Sequence, residues 1–156
     1  MTPEDKTGAD KTGADKPTTR ADYRWFLDIP TRWMDNDVYG HVNNVVYYSY
    51  FDTIVNRMLI AEGLLDIERS PTIGLCVESH CSFAAPLVFP ETVEAGLRVG
   101  RLGTSSVRYE IGLFRENIVA PAATGYFVHV FVDRATRRPM PLDETARAVL
   151  GRLMVG

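Results

Sequence analysis

Hydrophobic and polar residues alternate along most of this 156-residue chain, and one stretch breaks the alternation with a helical period. Tyr23, Trp25, Leu27, Ile29 and Trp33 alternate with mostly polar residues, the pattern of a half-buried strand. Pro30 suits an edge or a bend there, because proline cannot donate to a sheet ladder. From about Val45 to Glu62 the period changes. Ser49, Asp52, Thr53 and Asn56 fall on one narrow stripe at i, i+3, i+4 and i+7, and nearly everything else is apolar. A helix apolar over most of its girth is expected to be wrapped by other structure. Asn43 or Asn44 can cap its start, and Gly63 stands where it would end.

Alternation then resumes. Ile73, Leu75, Val77, Cys81 and Phe83 lead to Pro86; Val93, Ala95, Leu97 and Val99 follow, then Val107, Tyr109, Ile111 and Leu113. Tyr126 to Val132 is apolar on both faces, as in a central strand. Short linkers with turn residues, Gly103-Thr104 and Glu116-Asn117, predict an antiparallel meander. Ala146, Val149, Leu150 and Leu153 predict a short C-terminal helix started by Asp143. The expected class is α+β: a curled antiparallel sheet of about five strands around one long helix, with a short helix at the end.

Composition narrows the function classes. The net charge is −3, with 46% hydrophobic and 24% charged residues, so nothing draws the chain to nucleic acid or an anionic membrane. No apolar run is long enough to span a bilayer, and the polar N-terminus lacks a signal core, which argues for a cytoplasmic protein. Cys76 and Cys81 lie five apart in one expected strand, so they should face opposite ways and read as small core residues in a reducing compartment. Residues 1–20, with KTGAD repeated at Lys6–Asp10 and Lys11–Asp15, have little to bury and are expected to form a disordered tail before a single domain at 21–156.

The chemistry concentrates between Asp35 and Asn44. Arg32-Trp33-Met34-Asp35-Asn36-Asp37-Val38-Tyr39-Gly40-His41-Val42-Asn43-Asn44 sets two carboxylates, an imidazole and two amides just before the buried helix. The first N–H groups of a helix lack partners and carry partial positive charge, so a carbonyl oxygen lodged there is polarised. A nearby carboxylate can attack that carbonyl or take a proton from water that does. Gly40 permits the tight backbone path between the two parts. Other readings are weaker. A calcium loop would need an oxygen ligand where Tyr39 stands and Glu where Val46 stands. His41 with Asp35 and Asp37 has no second His or Cys pair to complete a transition-metal site, so no metal is expected. Composition alone leaves capping and solvated loop charge level with catalysis.

This segment, continuing through Val45-Val46-Tyr47-Tyr48-Ser49-Tyr50-Phe51-Asp52, resembles the signature of the 4-hydroxybenzoyl-CoA thioesterase-like hotdog family. Phe83-x-x-Pro86-Leu87 and Arg101-Leu102-Gly103-x-Ser105-Ser106 echo it more weakly. The resemblance implies a hotdog fold and an acyl-CoA thioesterase without a cofactor, working as a homodimer or homotetramer whose sites neighbouring subunits complete. It implies that Asp37 is the catalytic carboxylate, as nucleophile or general base, and that the Asn44 N–H polarises the carbonyl. His41 matches a further catalytic polar group, and Asn43, Tyr39, Gly40 and Arg101 fall where substrate contacts are expected. Tyr39 departs from the Asn of the plant enzymes, and only Arg101 and Arg108 stand where some relatives bind CoA phosphates. Two rivals stay open: an acyl-thioester hydratase or dehydratase using His41, and an acyl-binding module without turnover.

Overall fold

The computed structural model describes residues 18–155. Five strands form one antiparallel sheet in the order β1-β3-β4-β5-β2. They are β1 (Trp25–Pro30), β2 (Thr72–Phe83), β3 (Thr92–Leu102), β4 (Ser106–Phe114) and β5 (Ala123–Asp133). The long helix α1 (Asn44–Ala61) lies across one face, and α2 (Glu144–Arg152) follows β5. This is the hotdog fold. Only β3, β4 and β5 form the expected meander, because β2 returns to pair beyond β5.

The alternation read from the chain is what seats the helix. Val93, Ala95, Leu97 and Val99 on β3, and Val107, Tyr109, Ile111 and Leu113 on β4, are buried under it. From α1, Phe51, Ile54, Val55 and Met58 are fully buried against them. Such residues contribute roughly 1.5–3 kcal/mol each relative to exposure. The Asn43 side chain caps α1 by accepting from the Val45 N–H at 3.1 Å, and Gly63, with φ 75°, follows its end. Asp143 caps α2 as expected, accepting from the Ala146 N–H at 2.8 Å.

Several expectations are revised. Trp33 is not part of β1 but sits in a short 3-10 turn, Trp33–Asp35, where it is 82% exposed. The helix is buried along one side only; Val45 and Ile60 join the polar stripe on its open side. A bulge between Cys76 and Glu78 shifts the β2 register. Cys76 and Cys81 therefore pair with His129 and Gly125, four apart on β5, and share the helix face instead of facing opposite ways. Cys76 is also exposed rather than a core residue.

The expected tail falls almost wholly outside the described residues. Its last positions are ordered: Thr18 is buried and its hydroxyl lies 2.9 Å from the Tyr23 hydroxyl, while Arg20 pairs with Glu94 at 2.6 Å. Order begins before Tyr23. Among the described residues, no helix is long and apolar enough to cross a membrane.

Candidate active site

The loop before α1 folds as two unlike halves. In the first, Asp35 is 1% exposed and fully engaged. Its carboxylate accepts from the Arg32 N–H at 2.9 Å, from Arg32 Nε at 3.1 Å and from the Tyr50 hydroxyl at 2.8 Å. Its backbone carbonyl accepts from the Asn43 N–H at 2.8 Å. Burial alone would raise the Asp35 pKa, but the Arg32 backbone, Tyr50 and the Arg32 guanidinium together hold it below the ordinary value. Asp35 thus ties the loop's entry to its exit and to the second turn of α1. Its lone pairs are committed, which leaves it poorly suited to ligate a metal with His41.

The second half is a tight reversal. The Asp37 N–H donates to the His41 carbonyl at 2.9 Å, and the Gly40 N–H donates to the Asp37 carbonyl at 3.1 Å. Gly40 has φ 82°, and nothing lies within 4 Å of where a Cβ would stand. Glycine is therefore required there by backbone angle and not by crowding. One Asp37 carboxylate oxygen accepts from the Tyr39 N–H at 2.9 Å. The other has no partner among the described residues. The reversal is pinned from outside: Asn36 Oδ1 accepts from the Phe89 N–H at 3.1 Å, and the Val42 N–H donates to the Leu87 carbonyl at 2.8 Å.

An open groove of about 530 Å³ runs beside this reversal. Asp37, Tyr39 and His41 line it from the reversal, Asn44 and Tyr47 from the first turn of α1, and Phe83, Ala85 and Pro86 from the end of β2 and the segment after it. Asn44 is the first residue of α1, and its N–H has no acceptor among the described residues. Helix geometry makes that donor an orphan with partial positive charge. A carboxylate and an unused helix N-terminal donor therefore share one groove. Together they can bind a carbonyl oxygen and deliver a base or nucleophile to its carbon.

Of the residues named from the chain, Asp37, Tyr39, His41 and Asn44 come together here. Asn43 has its side-chain oxygen occupied by capping, and Gly40 contributes conformation. Arg101 is elsewhere, in a groove on the sheet's outer face with Glu78, Ser106, Arg108 and Glu110. Among the described residues, no three His, Cys, Asp or Glu side chains converge as a metal site would need. The wall formed by Phe83, Ala85 and Pro86 was not read from the chain, although Phe83-x-x-Pro86-Leu87 was visible as an echo. Tyr47 fixes that wall by accepting from the Leu87 N–H at 3.1 Å and meeting the Phe83 ring edge-on at 4.9 Å. The Tyr50–Asp35 bond, spanning fifteen residues, left no signal in the chain.

Comparison with known proteins bears on the family and the fold. The family model of the thioesterase-like superfamily matches residues 31–150. The PA5185 protein of Pseudomonas aeruginosa has a solved structure similar over 90% of this chain and 99% of its own, with 50% identity and a TM-score of 0.87. The PA2801 protein of the same organism, a candidate thioesterase, is 33% identical over 79% of this chain and 95% of its own, with a TM-score of 0.74. A DHNA-CoA thioesterase from Staphylococcus aureus shares the fold at 20% identity over 76% of this chain and 80% of its own, with a TM-score of 0.69. No curated protein matches the chain.

Proposed function

The chain belongs to the thioesterase-like superfamily, and we propose that this thioester hydrolase acts on acyl-CoA, releasing the free carboxylic acid and CoA. The observation that carries the reading is the shared groove of Asp37 and the orphan Asn44 N–H. The thioester carbonyl oxygen accepts from that N–H, where the helix end stabilises negative charge as it develops. Asp37 then acts by one of two routes. As general base it takes a proton from water, the resulting hydroxide adds to the carbonyl carbon, and the tetrahedral intermediate expels CoA thiolate. As nucleophile it adds directly, expels the thiolate and leaves a mixed anhydride that water hydrolyses. A single turnover in ¹⁸O-labelled water establishes the anhydride route if label enters the Asp37 carboxylate, which happens only when water attacks the Asp37 side of an anhydride. His41 and Tyr39 contact substrate or water from the same side.

CoA as carrier is supported by the Staphylococcus aureus structural neighbour, which is named for a CoA thioester. Screening thiol release across acyl-CoAs of varied length and aromaticity, with one acyl-carrier-protein thioester, tests carrier and acyl preference together. Release from the carrier-protein substrate alone would overturn the CoA reading. Enoyl-CoA hydration without thiol release would replace hydrolysis by the hydratase reading.

A homodimer, or a pair of dimers, is part of the proposal. Among the described residues, strand β2 has a partner only on one edge, and Leu75 to His80 are exposed along it. Val38 is 95% exposed, Tyr39 84% and Val45 65%, all close to the groove. An open strand edge and apolar side chains around a half-open site are features that a second copy would cover. Sedimentation at micromolar concentration should give a species well above the 17.5 kDa of one chain. A monomer with full activity would contradict a shared site. A cytoplasmic location, where two unpaired thiols stay reduced, completes the reading.

A further inference from the structure

The far end of α1 meets a second cavity, of about 220 Å³, between the helix and strands β2 and β5. Leu59, Leu64, Ile67, Ile73 and Phe131 give it apolar walls, and His129 lines it too. His129 is only 4% exposed, and neither ring nitrogen has a hydrogen-bond partner among the described residues. The ring is held in place by Phe127, nearly parallel at 6.0 Å, and by Tyr109, edge-on at 5.2 Å. Gly74 faces it from β2; a Cβ at that position would stand 2.9 Å from His129 Nδ1. Glycine therefore keeps the edge of the imidazole clear.

A ring needed only for packing requires no nitrogen, and phenylalanine would fill the place without stranding a donor. Buried polar atoms in proteins are almost always partnered, so an imidazole left bare at a cavity wall points to a ligand that completes it. Burial lowers the His129 pKa, outweighing the opposing effect of the Asp52 carboxylate, so the ring is neutral, with one donor and one acceptor. Apolar cavities of about 150 Å³ hold benzene. This one is larger, and its mostly apolar lining is interrupted by His129 and by Asn56, Thr72 and Arg134.

We propose that this cavity is a second binding site, taking a small apolar body with one hydroxyl group that hydrogen-bonds a ring nitrogen of His129. Such a body has two sources: the hydroxylated end of a long acyl group bound at Asp37, or a free phenol or alcohol. From Asn44 to Asn56, which lines the cavity, α1 rises roughly 18 Å. Only a long acyl chain spans that distance; with a short or aromatic acyl group the cavity is left to a separate molecule.

The test titrates the full-length protein with phenol while following the His129 imidazole nitrogens by ¹⁵N NMR, with benzene as the apolar control. Parallel titrations use His129→Phe and Ile73→Trp, the second of which fills the cavity and keeps the histidine. The expected result is a saturable His129 shift in the millimolar range, benzene binding at least about tenfold more weakly, and no binding to Ile73→Trp. In His129→Phe the preference for phenol over benzene should vanish. Competitive inhibition of long-chain acyl-CoA hydrolysis by phenol would assign the site to the acyl end; binding without inhibition would assign it to a free molecule. Either supports the site. No saturable shift, or equal affinity for phenol and benzene, overturns it. Failure of the thioesterase reading would appear separately, as absent thiol release with the titration unchanged.

Discussion

Asp35 and Asp37 leave the chain two residues apart, and their surroundings differ in nearly every respect. Asp35 is buried beneath Arg32 and Tyr50, with donors on both carboxylate oxygens. Asp37 stands at an open groove with one backbone donor and one uncommitted oxygen. A carboxylate whose lone pairs are all engaged in a buried network fixes geometry. One with free lone pairs beside an unused N–H can meet a substrate. Proximity in the chain says nothing about which is which.

The sharpest way to break this comparison is at Asp37. Asp37→Asn keeps the shape but removes charge and basicity, and turnover should fall by about two to four orders of magnitude with the fold intact. Steady-state thiol release together with circular dichroism checks this. Asp35→Asn should act on stability instead. Losing the carboxylate leaves buried donors poorly matched and should cost about 1–3 kcal/mol in urea unfolding, with kcat per folded molecule changed only a fewfold. A loss of kcat at Asp35 as large as at Asp37 would erase the distinction.

Smaller effects follow. Gly40→Ala meets no steric obstacle, so its penalty comes from φ alone, about 1 kcal/mol. A Tm shift of several degrees with unchanged substrate affinity is expected. A pH effect should trace to His129. Its folded pKa lies below the ordinary 6.5, so as pH falls below 6.5 the unfolded chain takes up a proton that the folded chain refuses. Stability from this group is complete above 6.5 and declines as pH falls toward the folded value. His129→Phe should flatten the parent's Tm slope between about pH 6.5 and 5; an unchanged slope would mean the histidine does not titrate as its burial demands. Asp35 acts in the same direction, but below its ordinary 3.8.

Much of the frame was legible because its causes are local. The long helix was expected over Val45–Glu62 and runs Asn44–Ala61, since Asn43 and Gly63 mark its ends through their own chemistry. Alternation exposed four of the strands, and a run apolar on both faces exposed β5. What stayed hidden depends on residues distant in the chain. The ranking of Asp35 against Asp37 by surroundings needed Tyr50; the resemblance supplied it beforehand. The shared face of Cys76 and Cys81 needed a bulge that leaves no mark in the alternation. His129 lay unremarked in a run from Tyr126 to Val132 that read as apolar on both faces, since an imidazole between valines looks like another core ring until its nitrogens are found without partners.

The most direct test of the Asp37–Asn44 assignment uses folded Asp37→Asn as a trap. The variant is loaded with acyl-CoA carrying ¹³C at the thioester carbonyl, and the bound carbonyl stretch is followed by infrared difference spectroscopy. The account predicts that the thioester binds with near-parental affinity and stays intact over many parental turnover times. Its carbonyl band should move to lower frequency than in free acyl-CoA, because a helix N-terminal N–H polarises it. Hydrolysis within a fewfold of the parental rate, or a bound carbonyl with the frequency of the free compound, would contradict the account.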